Sequence, residues 1–166
     1  MKQVPIRELN RDEFGRYGAF AQMIDPDAPK IGDEPIEFYR DMVQLPLGSA
    51  TEASFSICRV LKRDPTIDTI EYHDGCGEGI LPLDGDVLIH VAPATPNGET
   101  PLDDIEVFRV PRGTMVALRP GVWHHAPYAF GCDCANVVIV LPERTYATDC
   151  NVTELSLDQQ IRIEGV

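Results

Sequence analysis

The residues best suited to chemistry lie in two short segments, EYHDGCGEGILPLDG and, later in the chain, PGVWHH. Glu71 and His73 are two positions apart, so on a β-strand both side chains leave from the same face. Glu78 follows after a glycine-rich turn, and His124 comes from the second segment. Imidazole nitrogens and carboxylate oxygens suit a divalent transition metal with open positions for a substrate. The same groups can form a metal-free polar site that transfers protons, and the residue types leave both possibilities open.

Several neighbours of these segments are weaker candidates. His125 is adjacent to His124, so in an extended strand its side chain points the other way, and a supporting position is favoured over a metal-ligating one. Trp123 and Tyr128 flank the histidine pair, where they form either the wall of a cavity or part of the core. His90 lies in the apolar run DVLIHVA and is interpreted as an ordinary strand histidine rather than a cavity residue.

The charge balance sets a condition on any substrate. The chain has 27 acidic and 14 basic residues, which gives a formal net charge of −13. Such a surface repels phosphate backbones and anionic lipids, so nucleic acid and membrane partners are not expected. It also repels a small anionic substrate, so a site for a carboxylate must supply its own positive charge. Arg59, in the run FSICRV, is the candidate if it faces a cavity, although the pattern equally allows it to face solvent.

Short β-strands must position these residues. From about Ile36 onward, apolar runs alternate with turn sequences such as LDGD, ATPNGETP and VPRG. Many strands at close spacing, with almost no helix between them, indicate an antiparallel sandwich or barrel. The tail after Asn151 is compatible with a last strand or a short helix. The predicted strands are Phe55–Leu61, Thr66–His73, Val87–Ala92, Ile105–Val110, Met115–Leu118 and Asn136–Leu141.

One short helix is predicted before the strands. Asn10 followed by Glu13 resembles a capping box and predicts a helix over residues 11–21. This helix would carry an aromatic stripe that packs into the core, made of Phe14, Tyr17 and Phe20.

The two chemical segments together resemble the motifs of the cupin superfamily. The first motif has the form G-x5-H-x-H-x3,4-E-x6-G. His73, Glu78 and Gly85 match its second half, while Glu71 stands where the first histidine would be. PRGTMVALRPGVWHH approximates the second motif, G-x5-P-x-G-x2-H, with the proline displaced by one position. The resemblance implies a single domain over residues 1–166, an all-β, cupin-type antiparallel β-barrel (double-stranded β-helix or jelly roll).

A narrower resemblance is to the ureidoglycolate lyase family, enzymes of allantoin and purine breakdown. It rests on GVWHHAPYAF, and it extends over IRELNRDEFGRYGAF, PIEFYRDM, FSICR, EYHDGCGEGILPLDGDVLIHVAP and DCNVTEL, in the same order. The family implies cleavage of ureidoglycolate into glyoxylate and urea. Glu78 is a departure, because some members have Gln at this position, and the extra carboxylate makes the site more acidic and a better metal site.

By position, Glu71, His73 and His124 match the E-x-H and W-H-H segments of the family. From the residue types we expect His73, Glu78 and His124 to hold a divalent transition metal (Zn, Mn, Ni or Fe), and Glu71 or His125 to act in proton transfer. Arg59 matches an arginine of the family, and with Trp123 and Tyr128 it would contact the small anionic substrate. The alternatives are another metal-dependent cupin enzyme, such as a sugar or keto-acid isomerase or a dioxygenase, and a non-catalytic cupin that binds a small ligand.

Two further expectations concern assembly and location. Small barrels leave edge strands that pairing can cover, and C2 dimers are the commonest oligomers, so a homodimer is expected. MKQVPIREL has no apolar stretch typical of a secretory signal, and the five cysteines are an odd number, so a cytoplasmic protein with reduced thiols is expected.

Overall fold

The structure is a computed structural model that describes residues 1–166, and it is built almost entirely of short strands. All six predicted strands are confirmed, with ends shifted by a few residues and with Thr66–His73 divided in two. The strands are β1 (Lys2–Val4), β2 (Ile6–Glu8), β3 (Gly18–Gln22), β4 (Lys30–Ile31), β5 (Phe38–Tyr39), β6 (Ala53–Leu61), β7 (Thr66–Ile67), β8 (Thr69–Tyr72), β9 (Glu78–Pro82), β10 (Asp86–Val91), β11 (Glu106–Val110), β12 (Thr114–Leu118), β13 (Tyr128–Phe130), β14 (Cys134–Pro142), β15 (Asn151–Glu154) and β16 (Ile161–Ile163). Helices are α1 (Arg11–Phe14), α2 (Thr145–Thr148) and a 3₁₀ turn (Pro96–Gly98).

Two facing sheets form the body of the fold. One has five strands in the order β3-β12-β9-β14-β6, and the other has four in the order β13-β10-β11-β2. Their pairings are antiparallel except that of β2 with β11. This mostly antiparallel arrangement of two facing sheets confirms the predicted all-β jelly-roll type of fold, with strands that are not neighbours in the chain lying side by side.

The core has two layers, because the four-stranded sheet is buried on both faces. Phe108 and Val137 belong to the cluster between the two large sheets. Val107 belongs to a second cluster, where the outer face of the four-stranded sheet is covered by a small sheet of β1, β16 and β7. The strand β10 therefore has buried side chains on both faces, which explains its continuous apolar sequence.

The N-terminal helix is shorter than predicted. The capping box is present, since the Glu13 amide donates to Asn10 Oδ1 at 2.9 Å and Asn10 Nδ2 donates to Glu13 Oε2 at 2.8 Å. However, α1 ends at Phe14, and Phe20 lies in β3. The helix stops because Gly18, where a Cβ would lie 1.9 Å from the Ala117 carbonyl oxygen, pairs directly with β12. The three aromatic rings still pack around one another in the core, as predicted.

Other strands were not visible in the sequence. β9 directly follows the glycine-rich turn after His73 and is not among the predicted strands, yet it lies between β12 and β14 in the five-stranded sheet. The tail forms strands rather than a helix: β15 pairs with β8, and β16 pairs with β1 and β7. The pairing of β15 matters for the site, because it holds β8 from the side opposite to the chemical segment PGVWHH. None of the helices is long and apolar enough to cross a membrane.

His90 is the unusual polar residue of the core. It lies on β10 opposite Val107, on the face that packs into the second cluster, and its side chain is fully buried. Neither ring nitrogen makes a hydrogen bond of good geometry, although the Thr69 backbone is near enough to raise the pKa slightly. Burial lowers the pKa of His90 to about 3, with further lowering from His125, His124 and Arg63. The prediction of an ordinary strand histidine is correct as to location, but this one is carried in a neutral and unsatisfied form.

This burial makes an acid-dependent stability prediction. The pKa of His90 lies below its unfolded value of 6.5, so between pH 6.5 and about pH 3 the unfolded chain binds a proton that the folded protein does not, and the free energy of unfolding falls as the pH falls through this range. Replacing it, His90→Leu, should raise the free energy of unfolding at pH 7.5 by about 1–3 kcal/mol, the cost of an unsatisfied buried polar group. Urea denaturation at pH 7.5 and 5 measures this, and the gain should widen at pH 5. Parallel pH dependences of the two proteins would contradict it.

Candidate active site

An antiparallel bridge brings the two chemical segments together. The Glu71 amide donates to the His124 carbonyl oxygen at 2.6 Å, and the His124 amide donates to the Glu71 carbonyl oxygen at 2.8 Å. Residues directly opposite in such a pair project from the same face, so Glu71 and His124 lie side by side. His73 projects from that face as well, as the spacing of Glu71 and His73 predicts. The Gly121 amide donates to the His73 carbonyl oxygen at 2.7 Å and fixes the turn that precedes His124.

Glu78 completes the site from the five-stranded sheet. It is the first residue of β9 and shares its inward face with Ile80. Its Oε2 atom lies 3.1 Å from Nε2 of His73 and 3.1 Å from Nε2 of His124. All three side chains are buried. One carboxylate oxygen therefore sits between two imidazoles that reach it from different segments of the chain.

Backbone carbonyls fix the tautomer of both histidines. Nδ1 of His73 lies 2.6 Å from the Asp149 carbonyl oxygen, and Nδ1 of His124 lies 2.8 Å from the Val122 carbonyl oxygen. Since a carbonyl oxygen only accepts, each Nδ1 must carry a proton. In the neutral form each Nε2 then presents a lone pair to the site, which is the arrangement that metal-ligating histidines use.

The charges of these groups depend on one another. Burial alone would lower the pKa of His73 and of His124, but Glu78 raises both. Burial would raise the pKa of Glu78, but the charge of His124 and hydrogen bonds to both imidazoles lower it to about 2. The carboxylate is thus held ionised in a buried position. An ionised carboxylate between two Nε2 atoms needs a positive charge beside it. Protons on the two nitrogens can supply this charge, or a bound cation can replace those protons.

Glu71 lies at the same site but in a different environment. Its carboxylate, His73 and His124 place their ligand atoms within 4.8 Å of one another, so three donors converge as a possible metal-binding group. Glu71 is only partly buried, and its Oε2 accepts a hydrogen bond from the Cys150 thiol at 3.1 Å. Burial and the contact with Glu71 raise the pKa of Cys150 to about 12, so the thiol stays protonated as a donor. The two carboxylates therefore differ in partner and in exposure.

These groups surround a small cavity of about 170 Å³, which His124 does not line itself but reaches through its contact with Glu78. This volume is below the range typical of sites for drug-sized ligands, so it suits a small substrate. Four of its lining residues are those just described, and the rest are mostly apolar. The lining consists of Cys58, Glu71, His73, Glu78, Ala126, Pro127, Ile139, Leu141, Tyr146 and Cys150.

Arg59 is not part of this site, and the prediction that it faces the cavity is wrong. On β6 the side chain of Cys58 points to the cavity, so that of Arg59 points outward, where it is exposed. Its Nε donates to the Cys134 sulfur at 3.3 Å on the same outer face. Sequence alternation in FSICRV could not decide the parity, because β6 is an edge strand whose outer face is itself apolar.

Trp123 and Tyr128 are core residues rather than cavity walls, which corrects their assignment to substrate binding. Trp123 packs on Tyr72 at 4.5 Å between ring centroids, and its Nε1 donates to Thr95 Oγ1 at 2.9 Å. The Tyr128 hydroxyl donates to the Thr66 carbonyl oxygen at 2.7 Å. Both rings belong to the second core layer, whose presence is not predicted by any sequence pattern.

His125 points away from the site, as its adjacency to His124 predicts. It is partly buried and does not line the cavity. Burial lowers its pKa, and the charge of Glu71 acts in the opposite direction. Direct contact between His125 and a substrate in this cavity is therefore not supported by the geometry, and Glu71 is the better-placed group for proton transfer.

Asp149 and Cys150 are site residues that sequence reasoning missed. The Asp149 carboxylate accepts hydrogen bonds from the amides of Asp74 and Gly75 at 2.9 and 2.8 Å, while its carbonyl oxygen holds His73. It thus fixes the turn after His73 from a segment 75 residues away. The sequence carries only a weak signal for these two residues. They open the segment DCNVTEL, which contributes to the family resemblance but indicates no role for either of them.

The sequence matches one known protein family over nearly its whole length. The sequence model of the family described as ureidoglycolate lyase matches residues 1–164. The chain belongs to the ureidoglycolate lyase family. No curated protein matches it in a sequence search.

Several solved structures share parts of the architecture at low identity. A dTDP sugar isomerase from Desulfovibrio desulfuricans is 15% identical, with a TM-score of 0.49 over 86% of this chain and 87% of that one. A TDP-fucose-3,4-ketoisomerase from Campylobacter jejuni is 11% identical, with a TM-score of 0.45 over 80% and 86%. An oxalate decarboxylase is 13% identical, with a TM-score of 0.42 over 62% of this chain and 24% of that chain. At these scores the likeness carries no argument about the activity of this family member.

Proposed function

We propose that this protein is a ureidoglycolate lyase, which cleaves ureidoglycolate into glyoxylate and urea in the breakdown of allantoin. The observation that supports this most is the convergence of Glu71, His73 and Glu78 on one small cavity, with the buried His124 in contact with Glu78. The family membership of the chain covers nearly its whole length. Such a site supplies proton transfer and cation binding. The cavity of about 170 Å³ is too small for a large substrate, and its two carboxylates do not suit a strongly apolar one.

The chemistry demanded by this substrate is modest. In ureidoglycolate one carbon carries a hydroxyl, a carboxylate and the ureido nitrogen. Cleavage removes the hydroxyl proton, forms the aldehyde C=O bond with that oxygen's electron pair, and breaks the C–N bond, and the departing nitrogen takes up a proton. A base and an acid are needed, but neither a redox group nor a covalent nucleophile.

Glu71 is proposed as the group that accepts the hydroxyl proton. It faces the cavity, it is partly exposed, and the Cys150 thiol holds one of its oxygens and leaves the other free. The same carboxyl group, once protonated, is placed to return the proton to the departing nitrogen. Glu78 is less suited to this role, since its Oε2 is occupied by two imidazoles and its pKa is lowered to about 2.

His73, Glu78 and His124 are proposed to hold a divalent transition metal, among Zn, Mn, Ni and Fe. The donors fit, because both Nε2 atoms converge on the Glu78 carboxylate with their Nδ1 atoms anchored elsewhere. When bound, such an ion lowers the pKa of a coordinated hydroxyl and polarises it as a Lewis acid. Glu71 lies close enough to join the ligand set, so its role is tested separately below.

A homodimer is also proposed, with a second copy pairing along β6. This strand lies at the edge of the five-stranded sheet, so one side of its backbone has no partner strand. Three apolar side chains on its outer face are more than half exposed, namely Phe55, Ile57 and Leu61. Two antiparallel copies of one edge strand pair about a two-fold axis, the symmetry of most small oligomers.

The activity prediction uses racemic ureidoglycolate as substrate. The wild-type protein should release urea and glyoxylate in equal amounts. Glu71→Gln removes the proton acceptor and should lower kcat by about 10²-fold or more, within the usual range for general acid–base catalysis. Glu143→Gln, an exposed glutamate away from the cavity, is the matched control and should leave kcat unchanged. Failure of the wild type to release urea would favour another cupin activity or a non-catalytic binding role.

The metal prediction concerns protein purified without chelator. Elemental analysis should find about one divalent transition metal per chain, and His73→Ala or His124→Ala should weaken metal affinity by at least tenfold. Glu71→Gln should keep the metal while losing turnover. If Glu71→Gln loses the metal instead, Glu71 is a ligand. Negligible metal after reconstitution, together with turnover that survives chelation, would contradict the metal assignment.

The dimer prediction is tested by measuring the molecular mass of the protein in solution. Light scattering at micromolar concentration should give twice the chain mass of 18.4 kDa. A charge on the edge strand, Ile57→Lys, should shift the mass towards that of one chain. Leu157→Lys, at an exposed leucine outside β6, is the control and should leave the mass unchanged. A single-chain mass for the wild type would contradict the pairing.

A further inference from the structure

The cavity lacks the cation that an acid substrate requires. Glu71 and Glu78 line it, and none of its lining residues is Lys or Arg. The formal net charge of −13 adds a repulsive field outside. With Arg59 directed outward, the positive charge expected from the sequence has to come from another residue. A divalent metal would supply part of it, but the carboxylates of Glu71 and Glu78 together would offset its two charges.

Arg63 does not line the cavity itself, but its guanidinium contacts the backbone of two residues that do. It follows β6, and its Cζ atom lies 4.1 Å from the centre of the Tyr128 ring. Its Nη2 donates to the carbonyl oxygens of Ala126 at 2.9 Å and Pro127 at 3.2 Å. Ala126 and Pro127 are lining residues of the cavity. The stacked ring and the two carbonyls hold the guanidinium in one place, although the side chain remains exposed.

This guanidinium is only partly used by the protein. Both of its hydrogen bonds to backbone carbonyls are made through Nη2, and it also acts on the Tyr128 hydroxyl, so part of its five N–H donors is left over. No carboxylate lies within salt-bridge distance of it, whereas Arg7, Arg16 and Arg109 each have at least one acidic partner. A cation that is held rigidly, without a counter-ion, beside an acidic cavity is suited to receive an external anion.

The field of Arg63 also reaches the cavity wall. Burial and the charge of Glu78 raise the pKa of the Cys58 thiol, and Arg63 acts in the opposite direction. Cys58 lines the cavity from β6. The influence on Cys58 agrees with the position derived from the hydrogen bonds.

We propose that Arg63 receives the carboxylate of the substrate at the cavity rim and thereby selects small acids over their neutral analogues. This inference rests on the proposed function, because it takes the substrate to be a carboxylic acid. It assigns to Arg63 the role that the sequence pattern suggested for Arg59. The sequence held no signal for it, since KRDP reads as a polar turn and the stacking partner Tyr128 lies 65 positions later.

Steady-state kinetics on the full chain test this proposal. Arg63→Gln should raise KM for ureidoglycolate at least tenfold, with kcat changed by less than about threefold and with metal content unchanged. Arg63→Lys keeps the positive charge but loses the planar guanidinium with its paired donors. Its KM should therefore lie between that of the wild type and that of Arg63→Gln. Lys62→Gln removes the same charge from the neighbouring position and is the matched control, expected to leave KM unchanged. Thermal unfolding of each variant separates a loss of folding from a loss of binding.

The outcomes distinguish this inference from the function on which it rests. If KM in Arg63→Gln stays within twofold of the wild type while urea is still released, the role of Arg63 is wrong and the lyase function stands. If Arg59→Gln raises KM instead, the carboxylate is bound from the other face. If the wild type releases no urea, glyoxylate binding by calorimetry replaces the kinetics, and an unchanged affinity in Arg63→Gln would then overturn the proposal by itself.

Discussion

A buried carboxylate between two imidazoles is the constraint on which this structure depends. Glu78 cannot remain ionised in the interior unless His73 and His124 compensate it, and both imidazoles reach the same oxygen at 3.1 Å. An unpaired buried charge would cost several kcal/mol, so removing any one of the three groups destabilises the other two. The surrounding fold can be understood as the means of holding these three side chains in register.

The support comes from backbone groups that have no freedom to adapt. The bridge between Glu71 and His124 sets their relative position, and carbonyl oxygens of Asp149 and Val122 fix the two imidazole planes. These contacts draw on segments far apart in the chain, which the jelly-roll topology places side by side. A site supported in this way is preorganised, because its donors need no rearrangement when a cation or substrate enters.

The sequence predicted those features that follow from local geometry. The spacing of Glu71 and His73 fixed a common face, the adjacency of His124 and His125 fixed opposite faces, and the cap at Asn10 marked the start of α1. The features it did not predict depend on what covers each sheet. Trp123 and Tyr128 are core residues only because a third, small sheet covers the four-stranded one. The orientation of Arg59 could not be read for a related reason, since both faces of β6 carry apolar residues.

Histidine tautomers offer the most direct measurement of the central claim. The chain has four histidines, so long-range ¹H–¹⁵N spectra of labelled, metal-free protein can be assigned by single substitutions. The account predicts that His73 and His124 carry a proton on Nδ1 at every pH at which the protein is folded. It also predicts that added Zn²⁺ shifts their Nε2 resonances while both Nδ1 protons remain. A neutral form of either residue with its proton on Nε2 and none on Nδ1 would contradict the account, because its lone pair would then face a backbone carbonyl instead of Glu78.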